Sequence, residues 1–135
     1  MGNTIYFVSG GYSQVSHTLP GSITALTDYY AAVGNNIHSV HSNGTTSLHA
    51  TLPGNITALT NSYAAVGNTI YYVSAAGATS LHATLPGNVT ALAGFATFTG
   101  AYAAVGNNIY YVQGNGTTSL LTTLPGNITA LVVEE

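Results

Sequence analysis

The chain repeats itself, and that limits its folds more than any other feature. Leu-Pro-Gly begins at Leu19, Leu52, Leu85 and Leu124, spaced 33, 33 and 39 residues apart. Ala-Val-Gly-Asn begins at Ala32, Ala65 and Ala104, and Gly2-Asn3 matches its end. A unit of this size cannot bury a hydrophobic face alone, so neighbours must stack and share a core. The expectation is one repeat domain over residues 1–135, with four units divided near residues 19–21, 52–54, 85–87 and 124–126.

The columns of the repeat are nearly uniform. Ile5, Ile37, Ile70 and Ile109 share one, and Val8, Val40, Val73 and Val112 another. Ile23, Ile56, Val89 and Ile128 share a third, each followed by Thr-Ala-Leu. Nine residues separate Leu92 from Tyr102, against three between Leu59 and Tyr63, so the last full unit carries an insertion of six.

Each unit reads as four short antiparallel strands. In the second unit they are residues 23–26, 30–33, 36–40 and 46–52. Gly-Asn, Asn-Gly and Pro-Gly pairs break the chain between them, and these are turn formers. No stretch keeps a 3.6-residue period, and Gly, Thr and β-branched residues dominate, so helix is disfavoured. The class expected is all-β and β-propeller-like, with a β-solenoid as the alternative.

Patterning favours the first. Ile70-Tyr71-Tyr72-Val73 and Tyr63-Ala64-Ala65-Val66 are apolar on both strand faces, as strands sandwiched between two sheets must be. The fourth strand, at residues 79–85, alternates Leu81, Ala83 and Leu85 against Ser80, His82 and Thr84. That pattern predicts one core-facing side on an outer edge strand.

The succession Leu-Pro-Gly-Asn-Ile-Thr-Ala-Leu, Tyr-Ala-Ala-Val-Gly-Asn, Ile-Tyr-Tyr-Val and Thr-Ser-Leu-His-Ala-Thr-Leu resembles the strand order of a WD40-type propeller blade. The resemblance spans the chain and concerns strand order only, since no Gly-His or Trp-Asp pair is present. It implies sheets arranged face to face. The chain starts just before a third strand and ends after a first one, so tail and head fall almost in register. They could close a ring within one chain or join one copy to the next.

Composition narrows the function. Charged residues are 2% of the chain, against roughly 25% in an average soluble protein. There is no Lys or Arg, and the acids are Asp28, Glu134 and Glu135. Phosphate neutralisation and a basic membrane-surface patch both need cations, so nucleic-acid partners and electrostatic membrane binding are excluded. No apolar run approaches the roughly 18 residues of a membrane span, and Met1-Gly2-Asn3 lacks the basic start of a signal peptide. Cysteine is absent, which removes disulfides and thiolate metal sites. With little repulsion between copies, low net charge favours association.

Chemistry has little to work with, and the chain reads as a non-enzyme without cofactor or metal. Paired-carboxylate hydrolysis needs a second internal acid beside Asp28. A Ser-His-Asp triad would depend on Asp28 alone, and no Gly-x-Ser-x-Gly elbow exists. His17, His38, His41, His49 and His82 read as polar substitutions on a repeat surface or interior; His49 and His82 share a column that Leu121 fills in the fourth unit. Asn43, Asn55, Asn88, Asn115 and Asn127 begin Asn-x-Thr sequons, hence candidate glycosylation sites. The plainer account is that Asn serves the turn and Thr the next strand.

Two binding surfaces are candidates. Tyr71, Tyr72, Tyr110 and Tyr111 offer rings with hydroxyls, suited to glycan contact or to filling space between units. Phe95 and Phe98 on the insertion, Val132 and Val133 at the tail, and Gly2 and Asn3 at the head are candidate assembly contacts. Two readings lead. One is an extracellular or surface-exposed structural protein that self-assembles head to tail into filaments or a layer. The other is a glycan-binding, lectin-like module or adhesin. A flat Thr-rich face with Thr24, Thr57, Thr90 and Thr129, of the ice-binding kind, is a third.

Overall fold

The structure, a computed structural model, describes residues 2–27, 29–94 and 100–131. Among them all regular structure is strand. Unit 1 contributes β1 (Thr4–Ser9) and β2 (Tyr12–Thr18). Unit 2 holds β3 (Ile23–Leu26), β4 (Tyr30–Val33), β5 (Asn36–Val40) and β6 (Thr46–Thr51). Unit 3 holds β7 (Ala58–Leu59), β8 (Tyr63–Val66), β9 (Thr69–Val73) and β10 (Thr79–Thr84). Unit 4 holds β11 (Ala91–Gly94), β12 (Gly100–Val105), β13 (Asn108–Gln113) and β14 (Thr118–Thr123).

The all-β class and the strand bounds expected for unit 2 agree with this to within a residue. Each sheet is a meander whose neighbours follow chain order, and the described strand pairings are antiparallel within a unit. Units therefore meet face to face, not edge to edge as solenoid coils do. Among the described residues no strand pairs unit 1 with residues 124–131, so the ring closure that head and tail could have made is not found.

Adjacent residues serve different cores, which is why the strands are apolar on both sides. Ala64 packs with Ala32, Ile37, Leu52 and Ile56 between units 2 and 3. Its neighbour Ala65 packs with Ile70, Leu85, Val89 and Val112 between units 3 and 4. Ile70 and Val73 divide in the same way. The second strand of each full unit is central to both faces, and its alanine pairs (31 and 32, 64 and 65, 103 and 104) have no exposed surface. A side chain larger than methyl there would hold the sheets apart.

A clamp fixes the exit from each unit. Asn35, in the turn after β4, donates from its side-chain amide to the Leu52 carbonyl at 3.0 Å and accepts the Leu52 N–H at 2.8 Å on its own carbonyl. The Gly34 carbonyl accepts the Ile56 N–H at 2.9 Å. The same set recurs with Asn68 on Leu85 and Asn107 on Leu124. Gly2 and Asn3 make it in unit 1, on Ile23 and Leu19. The column letters Gly-Asn and Leu-Pro-Gly are thus two halves of one hydrogen-bonded corner.

One expectation needs correction. Leu81, Ala83 and Leu85 do not share a face. Leu81 pairs with Tyr71 and Ala83 with Ile70, which leaves His82 outside the register as a bulge. A bulge adds one residue and reverses the side-chain alternation beyond it. Ala83 and Leu85 accordingly enter the core, whereas Leu81 turns to the other face and is 66% exposed.

Candidate functional site

The bulge recurs in all four units and builds the contact between them. Ile5 pairs with His17 and Tyr6 with Val15, which leaves Ser16 out of register. Likewise His49 bulges in unit 2 and Leu121 in unit 4. A bulge re-aims the side chain it frees. Here His49 reaches the Ser74 carbonyl of unit 3 at 3.2 Å, and His82 the Gln113 carbonyl of unit 4 at 3.0 Å. Unit 1 reaches its neighbour with the next residue instead: His17 Nε2 lies 2.6 Å from the His41 carbonyl, and Nδ1 lies 2.6 Å from Ser16 Oγ. A carbonyl oxygen only accepts, so each of these Nε2 atoms carries the hydrogen and donates.

The facing half of the joint is a glycine turn. Gly77, at φ +88°, lies between β9 and β10 with its α-carbon against the bulge of unit 2, where a Cβ would overlap the His49 carbonyl oxygen. Gly116, at φ +90°, meets the His82 carbonyl in the same way. Gly44 faces the Ser16 carbonyl more loosely, with 3.5 Å left for a Cβ. Glycine is required at Gly77 and Gly116 both for the positive φ and for the approach of two backbones.

Threonine supplies a second strap near the other edge of each sheet. Thr24 Oγ1 donates to the Ile56 carbonyl at 3.0 Å, Thr57 to Val89 at 2.9 Å and Thr90 to Ile128 at 3.1 Å. Each bond crosses from one unit into the chain entering the next. The Thr column proposed as a flat surface array is engaged in stacking at these positions. Aromatic contacts fill the remaining space: Tyr30 lies 4.6 Å from His49 and Tyr63 4.8 Å from His82, centroid to centroid.

The other candidate residues fall as follows. The five sequon asparagines are all exposed. Asn43 and Asn115 accept from the backbone and hydroxyl of Thr45 and Thr117, closing their turns. Tyr71 and Tyr110 are half-buried against the inter-unit cores. Tyr72 is 41% exposed and stands edge-on to Tyr63, while Tyr111 packs 5.9 Å from Tyr102. Phe95, Phe98, Val132 and Val133 lie outside the described residues, as do Asp28, Glu134 and Glu135. The described ends of the insertion rest on unit 3, since the buried Tyr63 hydroxyl accepts the Gly100 N–H at 3.0 Å.

The joints set N–H and O–H donors against backbone carbonyls. His38 differs from the other histidines. It fills the column of Tyr6, Tyr71 and Tyr110, it is buried, and its Nε2 has no hydrogen-bond partner among the described residues. Burial holds its pKa below the ordinary 6.5. Among the described residues no three His, Cys, Asp or Glu side chains converge on a point that could hold a metal.

No protein-family model matches the chain, and no curated protein is similar to it in sequence.

Proposed function

We propose that this chain is a structural scaffold whose working part is the joint itself, and that it self-associates end to end, into filaments or a layer, outside the cell or on its surface. One observation carries the reading: one kind of joint, a bulged strand against a glycine turn, joins the units three times in succession, so copies of one surface already bind copies of another. The lack of Lys and Arg supports it, because copies of such a chain meet little charge repulsion. The absence of Cys and the exposure of all five sequon asparagines are compatible with an external setting. No catalytic role is part of this reading.

Sedimentation velocity over a wide concentration range, with electron microscopy of the most concentrated sample, tests it. Mass that grows with concentration and particles elongated along one direction are expected. Dispersed monomers at every concentration would end it. The alternative, a glycan-binding module, has one observation in its favour, the exposed ring of Tyr72 beside Tyr63. A glycan array that responds to the wild type and not to Tyr72→Ala would favour that alternative.

A further inference from the structure

The five Asn-x-Thr tripeptides look alike in sequence and fall into two classes in the structure. Asn55, Asn88 and Asn127 stand where the chain enters the next stretch of core. The residue after each is buried: Ile56, Val89 and Ile128. The N–H groups of these three donate to the carbonyls of Gly34, Gly67 and Gly106 at 2.9, 2.8 and 2.8 Å. Thr57 and Thr90 donate their own N–H groups to Ala65 and Ala104, at 2.9 Å each. Their hydroxyls strap Val89 and Ile128. Such a tripeptide is exposed at its asparagine and held fast immediately after it.

Asn43 and Asn115 lie at the hairpin turns between β5 and β6 and between β13 and β14. There the hydrogen bonds of the tripeptide stay within the turn. Residues 41–45 are all exposed. The Thr45 carbonyl accepts the His41 N–H at 2.9 Å, and the His41 carbonyl accepts the Gly44 N–H at 3.1 Å. Asn43 Oδ1 takes the Thr45 N–H at 3.1 Å and its hydroxyl at 2.6 Å, which leaves the amide NH2 without a partner among the described residues. Asn115 and Thr117 repeat this at 3.0 and 2.8 Å. The two turns differ in freedom. Gly116 lies against the His82 carbonyl with no room for a Cβ, whereas Gly44 leaves 3.5 Å to the Ser16 carbonyl. In unit 3 the same turn carries Ala76-Gly77-Ala78 and offers no acceptor.

We propose that Asn43, and more slowly Asn115, accept N-linked sugar in the folded chain, and that Asn55, Asn88 and Asn127 do not. A transferase must close around the whole tripeptide. At a hairpin tip that displaces a few local bonds, whereas at Asn55 it pulls Ile56 out of the core between two sheets. Local opening is nearly free at loop tips and approaches the global stability in the core. The donor is a sugar linked through its anomeric carbon to a nucleoside diphosphate or a lipid pyrophosphate. The asparagine amide nitrogen attacks that carbon and loses one proton. The C–O bond to phosphate breaks, and the leaving phosphate keeps the electron pair. The sugar adds a bulky, hydrated group to a chain that has no Lys or Arg. Access to a donor rests on the external setting proposed above; the acceptor geometry does not.

The test supplies the donor, so a wrong setting cannot produce a negative result. The folded 135-residue chain is incubated with a soluble Asn-x-Thr N-glycosyltransferase and UDP-glucose. Chymotryptic peptides are weighed over time, since trypsin has no Lys or Arg to cut at. Synthetic peptides spanning residues 40–48, 52–60, 85–93 and 112–120 give the rate of each tripeptide without the fold. Relative to its own peptide, Asn43 should keep most of its rate and Asn115 should be slower. Asn55 and Asn88 should fall by at least about tenfold. Transfer to Asn55 or Asn88 at the peptide rate, or an Asn43 as protected as Asn55, would overturn the assignment. Asn43→Gln should remove the fast transfer and leave the slower one at Asn115; persistence of the fast phase would place the acceptor elsewhere. Sedimentation that finds only monomers would end the self-association reading and leave this result standing.

Discussion

The backs of units 3 and 4 carry nearly the same letters and live in different environments. In unit 3 the run from His82 to Leu85 is covered by unit 4, and Ile70 has no exposed surface. In unit 4 the run from Leu121 to Leu124 faces outward, and Ile109 is only half-buried. Gly87 in the first case packs against Val105, so that a Cβ would come within 2.8 Å of its Cγ1, whereas a Cβ on Gly126 meets nothing within 4 Å. Burial here is therefore a property of having a next unit, not of the residue. In a stacked array each unit's stability is largely an interface term with its neighbours. Two substitutions at matched columns should accordingly differ wherever the next unit differs.

The largest difference is expected at the isoleucine column. Ile70→Ala empties a sealed site between two sheets and should cost about 2–5 kcal/mol. Ile109→Ala removes a half-covered side chain and should cost about half as much. Chemical denaturation of the two variants measures both. Equal losses would mean that the back of unit 4 is as well covered as that of unit 3, and the contrast between them would disappear.

The glycine turns sharpen the same contrast at smaller amplitude. Gly77→Ala and Gly44→Ala hold the same position in like turns, at φ +88° and +90°, and so share its strain, about 1–2 kcal/mol, while a Cβ on Gly44 has ordinary contact distance to its neighbour. Gly77→Ala in addition drives a methyl into the His49 carbonyl. Overpacking of that kind adds about 1–3 kcal/mol. The difference between the two variants, measured by denaturation at a concentration where the chain is monomeric, isolates the joint from the turn.

How much of this was readable in the letters differs between strand and joint. The turns were legible because Gly-Asn and Asn-Gly dictate chain reversal locally. The two-sided burial was legible at Ile70-Tyr71-Tyr72-Val73, since no polar residue marks a wet face, although Tyr72 proves to be partly exposed. The bulge was not legible. Each of β9 and β10 reads as a regular strand alone, and the extra residue exists only in their mutual register. Leu81, Ala83 and Leu85 therefore passed for one face. The trace it leaves is the pairing of an exposed Leu81 with a buried Ala83 across one histidine, with Leu48, His49 and Ala50 showing the same order in unit 2. The threonine straps were hidden in plain view, because Asn-Ile-Thr also spells a sequon.

Thr57→Val tests that last point with a smaller effect. The substitution keeps the β-branched shape and deletes the hydroxyl that donates to the Val89 carbonyl. A loss of about 0.5–1.5 kcal/mol is expected, the net worth of one hydrogen bond. Thr60 is a useful control. Its hydroxyl receives the Ser62 and Tyr63 N–H groups inside unit 3, and its side chain lies against Gly94 of unit 4, a contact that the valine shape keeps, so Thr60→Val should alter that turn without loosening unit 3 from unit 4. Hydrogen exchange at Val89 and its neighbours distinguishes the two: protection there should fall in Thr57→Val and persist in Thr60→Val.

The smallest effect appears only in acid, and it separates unit 2 from units 3 and 4. His38 stands where they carry Tyr71 and Tyr110, and burial lowers its folded pKa below 6.5. In the unfolded chain it titrates near the ordinary value, so just below about pH 6.5 the unfolded state binds more protons than the folded one. Stability contributed by the neutral, buried ring is therefore complete above that pH. It is lost as the pH falls from there toward the folded pKa, and no further loss comes from this group below it. His38→Tyr substitutes the side chain of the sister units and deletes the titration. The gap in melting temperature between His38→Tyr and wild type should widen in favour of the variant between pH 7.5 and pH 5, roughly the range over which histidine titrates. Parallel curves would show that the ring takes up its proton as readily folded as unfolded. The column would then be interchangeable between histidine and tyrosine, and unit 2 would be no different from its neighbours.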